Sequence, residues 1–356
     1  MPDTPTVPVE LLHNIFANIK DSRTLCMLAL VCKVFHFEAE RVLYHAPRDI
    51  TPKRHVQLLT SLKHNFRLAH FVKSYSVPPL AGRLRTIYWK LFTACLPLMV
   101  NLTQLSVLAL GSDMNVIPMH TLTFQLESLS WIQMDIEANA QFVPWLETQN
   151  ALKHLRWIHR GRVMVSRTAL PHLRILEGNL HVVEALLPGR QIQRLHWLSD
   201  LAHGELDVQA RIPRLFSGLQ NLRSLTFDVQ RNIVEYNVIG SSLVSLDFLE
   251  LVGYDDRNQD IPLVIPPRLK TLVLSFVAHL GDNRPSTILD TLKARSDTVA
   301  GYFLKGDSLF RVDIGHSRGT KNEIWYERWE NGVRKKELVS SDDVLDSSRH
   351  FLTTIY

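Results

Sequence analysis

Leu152-Lys153-His154-Leu155-Arg156-Trp157 is the stretch on which the fold turns: two leucines three apart, then an apolar residue two further on. The same spacing returns at Val72/Tyr75/Val77, Leu102/Leu105/Val107, Leu126/Leu129/Trp131 and Leu173/Leu176. It continues at Ile192/Leu195/Trp197, Leu222/Leu225/Phe227, Leu243/Leu246/Phe248, Leu269/Leu272/Leu274 and, more weakly, Leu309/Val312/Ile314. Successive first residues are 30, 24, 26, 21, 19, 30, 21, 26 and 40 positions apart. Most of these intervals fall near the period of about 20–29 residues at which a strand and its return can stack as one unit. Within each unit, alternate residues of a short strand point the same way, so the apolar positions line a core. No unit covers that core alone, and neighbours therefore stack with their strands parallel.

Polar pairs such as Lys153-His154, Gln193-Arg194 and Arg223-Ser224 are expected to bend around the entry of each strand. Apolar runs between the strands suit outer helices: Tyr88 to Leu98, Trp145-Leu146, Val182 to Leu187, Arg214 to Leu219 and Ile288 to Leu292. Trp131, Trp157 and Trp197 take the inward position and read as bulky core fill. Ser106, Ser130, Arg156, His196, Thr226, Asp247 and Val273 alternate with the core residues and would face a ligand on the concave surface. Of these, Arg156, His196, Thr226 and Asp247 are the candidate client-binding residues. His154, Arg156, His159, Arg160 and Arg162 form a basic cluster around Trp157. It reads as a solvated face, or alternatively as a site for an acidic or phosphorylated motif. From Gly301 the texture changes. Glu323 to Trp329 and Val333 to Leu338 flank Glu330-Asn331-Gly332, and Asn-Gly favours the positive backbone angles of a type I′ hairpin turn. That hairpin would cap the open end of the array. Ser340-Ser341-Asp342-Asp343 reads as a solvated linker or helix start.

The whole chain has 356 residues, 46% hydrophobic and 21% charged, which are globular values that exclude wholesale disorder. Forty basic against thirty-five acidic residues leave +5, mild for a protein that grips duplex DNA through its phosphates. Met1 to Val9, with Asp3 and three prolines, make no secretory signal. Every long apolar run is interrupted by a polar residue, so no membrane span is expected. Cys26, Cys32 and Cys95 fit neither a zinc spacing nor a disulfide framework and read as reduced, mostly buried thiols of a cytoplasmic or nuclear protein.

Residues 7–45 differ from the rest. Pro8 suits the first turn of a helix, and Leu11, Leu12, Ile15, Phe16 and Ile19 follow at helical spacing. Asp21-Ser22 caps a second helix expected over Thr24 to Val34, apolar on nearly every side. A third, about Phe35 to Leu43, turns Phe35, Ala39, Val42 and Leu43 inward. About 40 residues rarely bury enough surface to stand alone, and a helix apolar all round needs cover on both sides. Such a module either packs on its own chain on one side and another protein on the other, or serves only as an internal helical cap.

Val7-Pro8-Val9-Glu10-Leu11-Leu12, Ile15-Phe16, Leu25, Leu28, Leu30-Val31-Cys32-Lys33, Phe35, Ala39 and Leu43-Tyr44 resemble the F-box motif, in the divergent form common in fungal proteins. The family's usual first Leu is Val7 here, and Phe35 stands where Trp is common. The repeats resemble the leucine-rich repeats that often follow a fungal F-box. They depart from that family after the strand, where Leu110, Met134, Arg160, His181, Asp200, Gln230, Leu251 and Val277 replace the expected Asn or Cys.

The resemblance implies an α/β chain: a disordered N-terminus (1–6), a three-helix F-box-like module (7–50), an irregular leucine-rich-repeat solenoid (51–300) and a C-terminal hairpin cap (301–356). It implies binding to the Skp-type adaptor of cullin–RING ubiquitin ligases. Pro8, Leu11, Leu12 and Ile15 would enter the adaptor's groove with Leu28, Val31, Cys32 and Phe35, and Glu10 would sit on the rim.

No catalytic signature accompanies these features. His-Glu-x-x-His, a phosphate loop and a Gly-x-Ser-x-Gly elbow are all absent. Gly204-Glu205 and Asp255-Asp256 have no base to pair with, and Cys95 reads as buried. The expected function is that of a non-catalytic substrate receptor, monomeric within its complex, bringing an unknown protein client near a conjugating enzyme. The alternative is an interaction scaffold not coupled to ubiquitination. No metal, cofactor, nucleic acid or membrane partner is expected.

Overall fold

The computed structural model describes residues 8–47, 51–77, 84–109, 117–133, 141–159, 161–198, 212–229, 233–254, 262–275, 292–318 and 323–344. The readings for residues 1–7, Leu110, Met134, Arg160, Asp200, Gly204-Glu205, Gln230, Asp255-Asp256, Val277 and Ile288 lie outside them. The architecture is mixed α/β. The chain divides into two compact units, 1–160 with 169–172, and 161–168 with 173–356.

The first unit begins with three helices, α1 (Val9–Ala17), α2 (Ser22–Leu28) and α3 (Lys33–His45). Pro8 is the N-cap of α1, just ahead of the first turn rather than in it. Leu12 and Phe16, one turn apart, point inward to meet Leu25 of α2 and Ala39 of α3, with Ile19, Leu28, Phe35, Val42 and Leu43 around them. Phe16 and Phe35 meet edge to face at 5.2 Å. Each large side chain so buried contributes about 1.5–3 kcal/mol. Asp21 caps α2 as expected, accepting from the backbone N–H groups of Arg23 (3.2 Å) and Thr24 (2.9 Å). Its carboxyl is held below the ordinary range, chiefly by the Thr24 hydroxyl.

The second helix does not run to Val34. It stops at Leu28, Ala29 to Val31 form a turn, and Cys32 is extended (φ −159°) before α3 begins at Lys33. A single helix would have presented apolar residues on every side. The break lets Leu25 and Leu28 turn in while Met27, Leu30 and Val31 turn out.

Two helices not anticipated from sequence follow, α4 (Pro52–His64) and α5 (Phe66–Phe71). α5 meets the underside of α3: Arg67 pairs with Glu40, its guanidinium lies 5.6 and 5.5 Å from the rings of Phe37 and Phe71, and those rings meet at 5.5 Å. The module's size problem is thus solved on one side by the chain itself. α4 carries the buried His55, whose Nδ1 lies 3.2 Å from the Tyr75 hydroxyl, itself 2.9 Å from that of Tyr88. Phe92 stacks on both tyrosine rings.

Burial lowers the His55 pKa below its ordinary value. The folded protein keeps His55 neutral where the unfolded chain, with a pKa of about 6.5, already takes up a proton. Its contribution is therefore complete above about pH 6.5 and declines as pH falls toward the lowered folded value. Urea titrations at stepped pH are expected to show this decline as pH is lowered below about 6.5. His55→Phe should flatten it, and an unaltered slope would remove His55 as the cause.

Strands β1 (Ser74–Ser76), β2 (Gln104–Ala109), β3 (Ser128–Gln133) and β4 (His154–Ile158) pair in parallel in sequence order. Leu105, Leu129 and Leu155 are in register, as are Trp131 and Trp157. Helix α6 (Leu84–Cys95) and a 3₁₀ turn at Leu96–Leu98 occupy one connection, α7 (Phe142–Glu147) another. Phe142 of α7 stacks on Trp131 at 4.5 Å and lies 5.2 Å from Trp157, so the tryptophans are core fill.

In the second unit β5 (Ile175–Gly178), β6 (Arg194–Trp197), β7 (Ser224–Asp228), β8 (Phe248–Val252), β9 (Thr271–Ser275) and β10 (Arg311–Arg318) are likewise parallel and sequential. Between them lie α8 (Leu180–Leu186), α9 (Phe216–Leu219), α10 (Ile233–Gly240) and α11 (Leu292–Lys305). The last runs straight through residue 300, where the sequence suggested a change of texture. β11 (Glu323–Glu330) pairs antiparallel with β10 along eight residues. The Asn-Gly turn forms as expected, with Asn331 at φ 48° and Gly332 at φ 77°. Its second arm, β12 (Val333–Arg334), is only two residues long, and β13 (Val339–Ser340) pairs elsewhere on β11 before the one-turn α12 (Ser341–Val344).

The polar pairs at strand entry do what their position demands. Two consecutive N–H groups of one repeat donate to a single carbonyl of the repeat before: Thr103 and Gln104 to Lys73, Lys153 and His154 to Glu127, Arg223 and Ser224 to Gln193, Lys270 and Thr271 to Asp247. These bonds span 2.8–3.1 Å.

The same ladder corrects one register. Asp247 and Phe248 donate to Arg223, and Leu249 pairs with Leu225 and Leu272. The eighth repeat is therefore Leu246-x-x-Leu249-x-Leu251 rather than Leu243-x-x-Leu246-x-Phe248. Both frames satisfy the spacing because six apolar residues fall within the nine positions 243–251. The intervals on either side become 24 and 23 residues, closer to the rest than 21 and 26.

Candidate functional site

On α1 the stripe of Leu12 and Phe16 is buried, and the neighbouring stripe, Leu11 and Ile15, is left outside. Leu11 is 53% exposed, Ile15 55%, Met27 68%, Leu30 81% and Val31 65%. Val9 and Val34 are also exposed. A protein of this kind seldom leaves so many large apolar side chains uncovered within one short module unless a partner covers them.

The sequence-derived groove residues separate into two sets. Pro8, Glu10, Leu11, Ile15, Val31 and Cys32 are exposed. Leu12 is buried, and Leu28 and Phe35 pack inward against the module core, so these three are held by their own chain. Val9, Met27, Leu30 and Val34 were missed. Leu30, Val31 and Val34 lie three, four and seven positions after Met27, a spacing that reads as an inward helical face in sequence. Only the break after Leu28 turns it outward.

The module is braced. Glu38, buried on α3, accepts from Arg41 Nε at 2.9 Å and lies 3.5 Å from His13 Nδ1 of α1. Arg41 also reaches the His13 backbone carbonyl at 3.5 Å. The carboxylate thus ties the helix that carries Leu11 and Ile15 to the one that meets α5.

Cys26 and Cys32 are exposed, against the expectation of mostly buried thiols. For Cys32 the reason is again the turn after Leu28, and Cys26 lies on α2 beside the exposed Met27. Cys95 is buried, its thiol donates to the Leu59 carbonyl at 3.1 Å, and burial pushes its pKa up to about 11, the opposite of an activated nucleophile.

The residues expected to face a client are largely engaged within the chain. Arg156 and His159 are buried, so that part of the basic cluster is not a solvated face. His196 Nδ1 lies 3.4 Å from Glu177, and the Thr226 hydroxyl donates to Glu250 at 3.2 Å. Asp247 is not in their row. The register places it one step before the strand, where it bridges the flanking members of its own row, Arg223 at 3.4 Å and Lys270 at 2.9 Å. The Lys270 bond is the main reason its carboxyl titrates below the ordinary range. Glu250 occupies the position assigned to Asp247.

Among the described residues no helix is long and apolar enough to cross a membrane, and no group of three or more His, Cys, Asp or Glu is placed to hold a metal ion.

No protein-family model and no curated protein matches this chain. Among solved structures, it is similar at 14% identity to a chain of the LRIM1/APL1C complex, with a TM-score of 0.19. That match covers 64% of this chain and 38% of the other, so the chain spans well under half the length of the structure it matches.

Proposed function

We propose that this protein is the substrate-recognition subunit of a Skp–cullin–F-box type ubiquitin ligase in the cytoplasm or nucleus. The N-terminal helices hold a Skp-type adaptor, and degenerate leucine-rich repeats select a protein client. The observation that carries this reading is the apolar side of the three-helix module, with Leu11, Ile15, Met27, Leu30 and Val31 uncovered while Leu12, Phe16 and Leu25 make the core. Helix-in-groove recognition needs this division: one stripe to fold, another to bind. The salt bridge between α3 and α5 fixes the three-helix module on the helix that follows it, which suits a module that serves as a handle for a partner. The receptor itself contributes no reacting group.

The test is reconstitution. The purified full chain and a Skp-type adaptor are expected to co-elute as an equimolar complex, and clients should accumulate on the protein when the cullin ligase is inhibited. Failure to co-elute at micromolar concentrations would overturn the reading. A complex whose partners show unchanged half-lives after the protein is depleted would leave a scaffold instead.

A further inference from the structure

In the second unit the row alternating with the core leucines runs Glu177, His196, Thr226, Glu250, Val273, Asp313. If the array binds a client, this row should lie open. At its last strands it does not. Val273 is fully buried, packed with Tyr326 of β11 and covered by Val344 of α12, with Phe248 and Val339 beside them.

The cover is the end of the described chain, turned back over its own strands. After β13 pairs Val339 with Tyr326 and Ser340 with Trp325, α12 carries Val344 onto Val273. This strap is lightly built. It consists of a two-residue strand and one helical turn, with the Ser340 hydroxyl donating to Asp343 at 2.7 Å. β10 and β11, by comparison, pair along eight residues.

The floor beneath has its own hydrogen bonds. Ser275 donates to Glu250 at 2.6 Å, Thr226 donates to the other Glu250 oxygen at 3.2 Å, and the Tyr326 and Ser275 hydroxyls lie 2.9 Å apart. None of these three bonds is made by a residue of 339–344. The strap supplies two aliphatic side chains to this cluster, the buried Val344 and the partly buried Val339, and a carboxylate, Asp343, in the field of Arg328. It thus presents the chemistry of a peptide ligand.

We propose that residues 339–344 are a displaceable internal occupant of the peptide-binding strand face, and that the external ligand is a peptide segment carrying an aliphatic side chain directly preceded by a carboxylate. This rests on reading the array as the client-binding part and adds the class of client segment and a built-in competitor for it.

The probe is a fluorescent peptide of residues 338–347 added to the full chain. The wild-type protein, whose own strap holds the place at high effective concentration, is expected to bind it poorly, and Val344→Asp should bind at least about tenfold more tightly. The same peptide carrying the Val344→Asp change should not bind. A folded Val344→Asp protein with no gain would overturn the proposal. Should that variant fail to fold, hydrogen exchange on the wild-type chain decides. Amides of 340–344 are expected to exchange at least about tenfold faster than those of β9 and β10, and equal protection would overturn it. No adaptor is present in either assay, so this outcome is independent of the ligase reading.

Discussion

Replacing Leu11 and Ile15 together by aspartate is expected to weaken binding of a Skp-type adaptor at least about 100-fold while leaving the melting temperature within about 2 °C of wild type. Both side chains are more than half exposed, so neither contributes much to the module's own stability. At a docked interface they would be central apolar anchors, and losing each costs about 2–4 kcal/mol, so the pair together exceeds the roughly 2.7 kcal/mol of a hundredfold loss. The stripe one position on gives the contrast. Phe16→Ala empties the module core and should lose about 3–5 kcal/mol of stability as well as binding. Calorimetric titration paired with thermal melts separates the two. If Leu11→Asp/Ile15→Asp binds as wild type, the exposed stripe is not the docking surface. If it melts early, the stripe belongs to the core.

Asp313→Ala is expected to destabilise the second unit by about 3–5 kcal/mol, read as a lower urea midpoint. Asp313 is fully buried in the row where β10 meets β11. Arg328 grips it with two bonds, Nε to Oδ1 at 2.8 Å and Nη2 to Oδ2 at 3.1 Å, and Arg311 Nε adds a contact of 3.2 Å. The bond to Asp313 is also the main reason the Arg328 pKa is raised, while burial lowers that of Arg311. Removing the carboxylate leaves two guanidinium groups facing each other in a partly desolvated place. A double change, Asp313→Ala with Arg328→Met, should recover much of the loss because it removes the orphaned charge together with its partner. A single-variant loss under about 1 kcal/mol would show that water reaches the pair.

The parallel strands were legible because a three-plus-two spacing of leucines has one good physical solution, and Trp131 and Trp157 were placed inward on that ground alone. The eighth repeat was ambiguous for a definite reason. Leu243, Leu246 and Leu249 are equally spaced, and only the bonds at strand entry decide which of them meets Leu225. That slip put Asp247 in the wrong row and hid Glu250. The helix boundary after Leu28 was not legible either, since neither glycine nor proline marks it. What ends α2 is the competition of two apolar faces for one small core. α4 and α5 went unread because their buried members, His55, Leu59, Leu62, Leu68 and Ala69, include a histidine and lie between strongly basic residues. The exposed stripe was half legible: periodicity found Leu11 and Ile15, but only the packing separates them from Leu12 and Phe16.

The shared carbonyls at strand entry have a consequence for how such a chain can change. They fix alignment between neighbouring strands at one point per repeat and ignore the path taken in between. Excursions of 19 residues and of 40 are accommodated along the same chain. Extra residues inserted past a strand's end need disturb neither the rung before nor the rung after. Peptide tags or whole loops placed in the longest intervals should be carried without loss of alignment, which makes those intervals natural entry points for new surface.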